Sequence, residues 1–330
     1  MNDSQIQSRS KQNGLLPAAL FGRADPYVRF LLENKDRLFH LKSWRGNSGD
    51  ALIWRGTEYL FDGLGLKRTV DPRKAEIILI PGGNQTMWQG NIDTWNQVRS
   101  RYPDKAFAVG PITVQMGFTN WDQDIRTPGA RVLAVFARDP QSYANLREPC
   151  LDAAIVTGLS HDPALCLRDS PWMCELRTAL TEDHVLAAFR FDHEGVLMPP
   201  PRTRLSSLLL PRPLRRRMDA RSRARNFDRR LARAAQYQRS RQPVMVCDAS
   251  MCQFEYFVDV IRSAAEIHTD RLHCMLFAAM LGKRVFAYPT TYEKLEQVYL
   301  HSVKGWAHVD FVSDAEVPED AGGDGSSARI

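Results

Sequence analysis

A strand–helix–strand segment near the end of the chain restricts the fold more than any other feature. Residues 265–268 are predicted as a short strand, an almost purely apolar helix follows up to Gly282, and residues 285–288 form the next strand. A helix that is apolar on all sides must be buried, and glycine commonly ends such a helix. Because a helix that joins two neighbouring strands makes them parallel, the segment predicts a parallel sheet of the α/β class.

The polar residues at the start of this helix indicate a binding site. Arg271 and His273 lie in its first turn, where packing does not require them. A helix N-terminus offers free backbone N–H groups and a partial positive charge, so an arginine there favours phosphate or carboxylate. A histidine in the same turn can transfer a proton near neutral pH. The alternative is a capped core helix with a hydrogen-bonded histidine, and the segment alone leaves both open.

The same alternation of strands and helices recurs along the chain. Apolar strands are predicted at 77–80, 106–109 and 132–136, and glycine or polar residues follow each of them. A second series begins after the proline-bounded connection near residues 170–172. The pattern predicts parallel sheets with helices on both faces, in which ligands bind at the carboxyl ends of the strands.

The length of 330 residues suits two domains of about 150 residues each. We predict an N-terminal tail at 1–24, domains at 25–172 and 173–314, an insertion at 199–242 within the second domain, and a disordered acidic tail at 315–330. The chain has no run of about 18 apolar residues and no signal-peptide pattern, so we expect it in the cytoplasm. Its six cysteines contain no CxxC pair, so neither a zinc site nor disulfides are expected, and no ligand cluster suggests another metal.

The insertion is strongly basic. Between Arg202 and Arg241 the chain has fourteen arginines, no lysine and two acidic residues, a local net charge of +12 against +6 for the whole chain. Three interpretations stay open: a solvated linker or helical excursion, a surface for anionic lipid head groups or a lipid pyrophosphate, and a nucleic-acid patch. The second would make the protein peripheral at the inner membrane face. Nucleic acid is the least favoured partner, because Phe227 and Tyr237 are the only aromatic residues and no nucleic-acid-binding motif accompanies them.

Seven short motifs occur in an order and spacing that resemble the polysaccharide pyruvyl transferase family, from about Leu38 to about Val312. They are GNSGDALI (46–53), PGGN (81–84), VGPIT (109–113), ARDPQS (137–142), HDPAL (161–165), TDRLH (269–273) and TTYEK (290–294). The resemblance implies two Rossmann-like domains facing across a cleft, as in GT-B glycosyltransferases. It also implies transfer of a pyruvyl group from phosphoenolpyruvate to two hydroxyls of a sugar, in exopolysaccharide or its lipid-linked precursor, with formation of a cyclic ketal and no further cofactor.

Phosphoenolpyruvate carries a carboxylate and a phosphate, which a cleft must neutralise together. Arg138 and Arg190 lie at predicted strand ends and join Arg271 as candidate donor ligands, since a guanidinium binds such groups bidentately. Tyr292 and Lys294 match the family's tyrosine-x-lysine and are further donor candidates. The alternatives are structural: an ion pair of Arg138 with Asp139 or Asp162, one of Arg190 with Asp192 or Glu194, and a surface position for Lys294.

The resemblance assigns general acid and base catalysis to His273 and contacts with the acceptor to the loops after the first two strands. The candidate acceptor residues are Asn47, Gly49, Asp50, Gly82, Gly83 and Asn84. A tight turn capped by Asp50, and glycines that only provide backbone clearance, are the alternatives.

Two departures from the family pattern leave the acceptor open. Cys274 stands where many relatives have glycine, and TTYEK replaces a more polar loop. Two other classes of function therefore also remain: a sugar-nucleotide glycosyltransferase of the same architecture, and a noncatalytic relative that only binds glycan.

Overall fold

The computed structural model describes residues 20–42, 46–86, 88–126, 128–190, 224, 227–228, 230–232, 234–290 and 293–312. The predictions for the N-terminal tail before residue 20, for Tyr292, for residues 199–223 of the insertion and for the tail at 315–330 concern residues outside this part. The helices with described bounds are α1 (Pro26–Glu33), α2 (Ser48–Leu64), α3 (Gln89–Arg101), α4 (Trp121–Asp124), α5 (Pro140–Asp152), α6 (Pro171–Thr178), α7 (Phe254–Arg262), α8 (Leu272–Leu281) and α9 (Lys294–Val298).

Two parallel sheets of five strands each form the centres of the two halves of the molecule. The first contains, in spatial order, β1 (Phe39–Leu41), β2 (Ile77–Ile80), β3 (Ala106–Ile112), β4 (Arg131–Ala137) and β5 (Val156–Leu159). The second contains β10 (Val309–Phe311), β9 (Arg284–Ala287), β8 (Ala264–Thr269), β6 (His184–Ala188) and β7 (Val244–Val246) in that order. Every strand pair is parallel.

Helices cover both faces of the first sheet, which explains why its central strands are apolar throughout. Ile77 and Leu79 of β2 belong to the cluster that contains residues of α1 and α2. Ile78 and Ile80 belong to a second cluster, with residues of α3, α4 and α5. Successive side chains of a strand point to opposite faces, so a strand covered on both sides needs a continuous apolar run. The predicted α/β fold of GT-B type is confirmed.

Helix α8 joins the two halves. Its residues are buried except for His273, and it packs against α2 and against the 3₁₀ turn Pro163–Leu167 of the first half. Apolar residues from both halves form one cluster around it. A hydrogen bond also crosses between the halves, because Ser48 Oγ donates to the Cys252 carbonyl oxygen at 2.8 Å. A shared apolar core therefore holds the two sheets together. The domain boundary at residue 172, which lies in α6, stays a prediction.

The end of the Arg-rich insertion packs onto the second sheet. Ala234 is buried with Phe189 and Phe286, and buried Arg230 forms an ion pair with Asp270. Glu266 accepts a hydrogen bond from the Arg239 backbone N–H at 3.1 Å. The described part of this segment is helical, as one interpretation of the insertion had it, but Arg230 and Ala234 are buried and not solvated. Of the helices in the described ranges, none combines the length and the apolar character that crossing a bilayer requires.

Candidate active site

A cavity of about 300 Å³ lies between the two halves, where the carboxyl ends of both sheets meet. Eight of the predicted site residues line it together: Asn47, Asp50, Asn84, Arg138, Arg190, Arg271, His273 and Lys294. Each follows the end of a strand or lies at the start of the next helix. Side chains from distant parts of the sequence converge here because parallel strands end at the same edge of a sheet.

The N-termini of α2 and α8 face each other at this cavity. Gly49, the second residue of α2, packs against the ring of His273, the second residue of α8. A Cβ atom on Gly49 would lie 2.2 Å from His273 Nδ1 and 2.6 Å from its Cγ, so a side chain there would displace the imidazole. Gly49 thus makes room for His273. Gly49 itself does not line the cavity, and its contact with the acceptor stays a prediction.

Asn47 and Asp50 form a capping box at the start of α2. Asn47 Oδ1 accepts a hydrogen bond from the Gly49 N–H at 2.8 Å, and Asp50 Oδ2 accepts one from the Asn47 N–H at 2.9 Å. These caps explain why the helix begins at Ser48. The capping box uses Asn47 Oδ1 and Asp50 Oδ2, so an acceptor hydroxyl would have to form hydrogen bonds with Asn47 Nδ2 or Asp50 Oδ1.

Gly82 and Gly83 lie beside the cavity and do not line it. Gly82 has a φ of +143°, and a Cβ atom on it would lie 2.5 Å from the Pro111 carbonyl oxygen. Gly82 instead lines a neighbouring cavity that also contains Asn47 and Asp50. Backbone clearance accounts for Gly82 at this strand end, and a role of the two glycines in acceptor binding stays a prediction.

Asp162 connects an arginine to the candidate catalytic histidine. Its Oδ2 lies 2.5 Å from Arg138 Nη1 and 3.4 Å from His273 Nε2, and Arg138 and Asp162 are both buried. Burial alone would raise the pKa of Asp162, but the nearby His273 and Arg138 and the hydrogen bond from the Ala164 N–H hold it well below the usual value. An ionised Asp162 can therefore orient the His273 ring. The ion pair of Arg138 with Asp162, predicted as the structural alternative to donor binding, is present.

Two more carboxylates hold the arginines of the second half. Arg271 is buried and forms an ion pair with Asp248. Asp270 Oδ1 accepts a hydrogen bond from the Arg190 backbone N–H at 2.8 Å, while Asp270 is also paired with Arg230. These contacts fix the backbone and side chains that border the cavity.

Lys294, the first residue of α9, is buried and lines the cavity, so the interpretation as a surface lysine is wrong. Among the described residues, the cavity lining thus combines Arg138, Arg190, Arg271 and Lys294 with one carboxylate, that of Asp50. Such an excess of cationic groups suits a ligand with more than one negative charge.

The sequence prediction missed several residues of the site. The cavity is also lined by Gln85, Trp88, Asn91, Ser250, Met251 and Leu272. The supporting acids Asp248 and Asp270 each follow a strand, β7 and β8. The strand-end rule that identified Arg138 would have identified these two acids as well. Trp88 and Gln85 lie in a loop without periodicity, where the sequence carries no comparable signal.

Cys274, which directly follows His273, is a structural residue. It is buried, and its Sγ lies 3.4 Å from Ser250 Oγ. Burial raises the pKa of the Cys274 thiol to about 12, so the thiolate form that a nucleophile needs is not populated near neutral pH. Within the described ranges, no group of three or more His, Cys, Asp or Glu side chains is placed to hold a metal ion.

Fold and cavity together define a GT-B-like α/β protein with an arginine-lined cleft between its two sheets. The family model for polysaccharide pyruvyl transferase matches residues 47–292, most of the chain. The chain therefore belongs to the polysaccharide pyruvyl transferase family. Membership makes it a transferase that acts on polysaccharides and implies a glycan acceptor.

The solved structures to which the chain is similar are distant in sequence. The chain is similar to a functionally uncharacterised protein from Klebsiella pneumoniae, with 16% identity, coverage of 94% of this chain and 99% of that one, and a TM-score of 0.55. It also matches the UDP-GlcNAc 2-epimerase of Methanocaldococcus jannaschii, with 11% identity, coverage of 84% and 89%, and a TM-score of 0.41. Among curated proteins, no sequence matches the chain significantly. The likeness to the Klebsiella protein concerns the fold alone.

Proposed function

We propose that the chain transfers the pyruvyl group of phosphoenolpyruvate to two hydroxyls of a sugar, in a polysaccharide or its lipid-linked precursor, and forms a cyclic ketal. One observation carries this proposal: His273 shares a single cavity with Arg190, Arg271 and Lys294. A donor with both a carboxylate and a phosphate needs several cations next to a proton-transferring group. The family match supports the reaction class.

In this proposal the second half of the molecule binds the donor. Arg271 lies at the N-terminus of α8, a ten-residue helix whose first N–H groups and dipole favour an anion. Its ion pair with Asp248 holds the guanidinium in place, and Arg190 and Lys294 border the same space. The three cations offset the charges of the phosphate and carboxylate, including the charge that develops on the leaving phosphate.

His273 acts as general acid and base. It protonates the methylene carbon of the enol, which makes the adjacent carbon electrophilic. A sugar hydroxyl attacks that carbon and gives its proton to the histidine, phosphate departs, and a second hydroxyl closes the ring with its proton leaving on the phosphate. Asp162, 3.4 Å from His273 Nε2, is the positioning residue that stabilises the charged imidazolium. The proposal needs no metal and no cofactor beyond the donor.

The test of this function is incubation of the full chain with phosphoenolpyruvate and a panel of soluble glycans. Phosphate release that depends on the glycan, together with a ketal methyl signal in the proton NMR spectrum of the product, is the expected result. A parallel reaction with sugar nucleotides tests the glycosyltransferase alternative. Transfer of sugar from a nucleotide donor, with no phosphate released from phosphoenolpyruvate, would overturn the proposal in favour of that class.

The donor site predicts a specific loss of affinity. Loss of a charge-assisted contact typically costs 1.5 to 3 kcal/mol, so Arg190→Ala and Arg271→Ala should each weaken phosphoenolpyruvate binding roughly ten- to a hundredfold. Calorimetry measures this affinity directly, and acceptor binding should change far less. Arg73, an exposed arginine outside the cavity, supplies the matched control Arg73→Ala. Unchanged donor affinity in both cavity variants would mean that the anion binds elsewhere.

We also propose that the Arg-rich insertion brings the protein to the inner membrane face, where lipid-linked acceptors would be found. Attraction to anionic lipid is worth about 1 kcal/mol per basic residue near the surface, so a few engaged arginines suffice for recruitment. Removal of the whole segment up to Arg241 would be a poor test, because it would also remove Arg230, the partner of Asp270 beside the cavity.

Replacement of the eight arginines between residues 202 and 223 by glutamine leaves Arg230 in place. The wild-type protein should cosediment with vesicles that contain phosphatidylserine and not with neutral phosphatidylcholine vesicles, and high salt should abolish the binding. The glutamine variant should lose this binding and keep its activity on a soluble acceptor. Equal binding to both kinds of vesicle, or binding insensitive to salt, would contradict the electrostatic explanation.

A further inference from the structure

The rim of the cavity carries a large apolar side chain on each side. Trp88, which precedes α3 in the first half, is 53% exposed, and Met251 in the second half is 67% exposed. The rest of the lining is largely polar or charged. An exposed indole at the entrance of such a cavity offers a flat apolar surface beside hydrogen-bonding groups.

Gln85 supplies the second observation. This residue is only 4% exposed and lines the cavity, and its Nε2 donates to the Gly82 carbonyl oxygen at 3.0 Å. Its Oε1 is buried and has no hydrogen-bond partner among the residues that the structure describes. A buried amide oxygen without a partner costs free energy, so it indicates a donor that comes from a ligand.

The two sides of the cavity differ in charge. The first half contributes the neutral amides of Asn84, Gln85 and Asn91 around Trp88 and the carboxylate of Asp50, whereas the second half contributes Arg190, Arg271 and Lys294. Arg138 also comes from the first half, but Asp162 balances its charge. An anion is stabilised on the cationic side. The first half, with three amides and one carboxylate, suits an uncharged molecule with many hydroxyls.

We propose that Trp88, Gln85 and Asn91 form the subsite for the acceptor sugar. The indole stacks on the apolar C–H face of a neutral pyranose ring, and Gln85 Oε1 accepts a hydrogen bond from one of its hydroxyls. Asn91 lies close by, since its Nδ2 donates to the Asn84 carbonyl oxygen at 3.4 Å and so holds the loop. The inference rests on the proposed function and extends it, because it specifies an uncharged pyranoside and where that ring lies.

The experiment measures binding of methyl glycosides of glucose, galactose, mannose and N-acetylglucosamine to the full chain by saturation-transfer NMR. At least one should bind, and Trp88→Ala should weaken it about tenfold, equivalent to about 1.4 kcal/mol, while Trp88→Phe keeps most of the affinity. Phe118, 55% exposed in the same half but outside the cavity lining, gives the matched control Phe118→Ala. Gln85→Met should also weaken the sugar, and calorimetry should show unchanged phosphoenolpyruvate affinity in every variant.

The outcomes separate this subsite from the pyruvyl transfer itself. If the wild type transfers no pyruvyl group but binds a pyranoside through Trp88, the subsite stands and the proposed reaction fails. If transfer occurs, Trp88→Ala should raise the acceptor KM and leave kcat near the wild-type value. An unchanged KM, no binding of any methyl glycoside by the wild type, or Trp88-dependent binding of uridine in place of the sugars would each overturn the subsite.

Discussion

Replacement of His273 by alanine is expected to lower turnover about 10²- to 10⁴-fold while the fold stays intact, which is the usual contribution of a positioned general acid. The imidazole is the only histidine side chain among the described residues that line the cavity. Its loss removes the proton donor to the enol carbon. Donor affinity should stay close to that of the wild type, because Arg190, Arg271 and Lys294 remain.

The fold of this variant should survive because the ion pair behind His273 does not depend on it. Asp162 keeps its contact with Arg138 at 2.5 Å and its hydrogen bond from the Ala164 N–H. A matched control is His40→Ala, since His40 contacts the Thr69 carbonyl oxygen and does not line the cavity. Steady-state kinetics measures the loss of turnover, and thermal unfolding shows whether the variant keeps the stability of the wild type. Turnover near the wild-type rate with His273 absent would remove this residue from the mechanism.

The position of the cleft was predictable because it depends on local sequence patterns. Apolar runs such as residues 77–80 and 106–109 determine buried parallel strands, and the residues that follow such strands must meet at one edge of the sheet. Arg138, Arg271 and His273 satisfied this rule, and all three line the same cavity. Strand ends and the start of the apolar helix therefore indicated Arg138, Arg190, Arg271 and His273, whereas the resemblance to the family indicated Asn47, Asp50, Asn84 and Lys294.

The contacts inside the cleft were not predictable in the same way. Asp162 reaches His273 across the two halves, and no local pattern specifies which of the arginines at strand ends will be neutralised by a carboxylate. Arg230 belongs to a segment whose composition suggests solvation, yet it is buried against Asp270. Trp88 lies outside any periodic element. Tertiary packing decides such positions, and a single sequence does not record it.

We expect Asp162→Asn to lower the free energy of unfolding strongly. The change removes a buried negative charge and leaves Arg138 buried without its counter-ion, which typically costs about 3 to 5 kcal/mol. Because a domain is usually stable by only about 5 to 15 kcal/mol, the variant should unfold at markedly lower denaturant concentration. Turnover should also fall, because His273 loses the carboxylate that orients it.

A double variant separates the two roles of Asp162. Asp162→Leu combined with Arg138→Met replaces the buried pair by apolar groups, which often restores stability. Stability should recover in this variant, whereas turnover should stay low because His273 still lacks its partner. Recovery of both would mean that Asp162 serves only to neutralise Arg138 and has no positioning role toward His273.

The pH dependence of unfolding gives an independent check on Asp162. The pKa of its carboxyl is lowered in the folded state. In the unfolded chain this pKa is about 3.9, so the unfolded chain takes up the proton first as the pH falls. The stabilising contribution is therefore complete above pH ~4 and is lost progressively at lower pH. Wild-type stability should fall more steeply with acid than that of Asp162→Asn, so the two curves should converge below pH ~4. Parallel acid-denaturation curves would show that the Asp162 carboxyl has the same pKa in the folded and unfolded states.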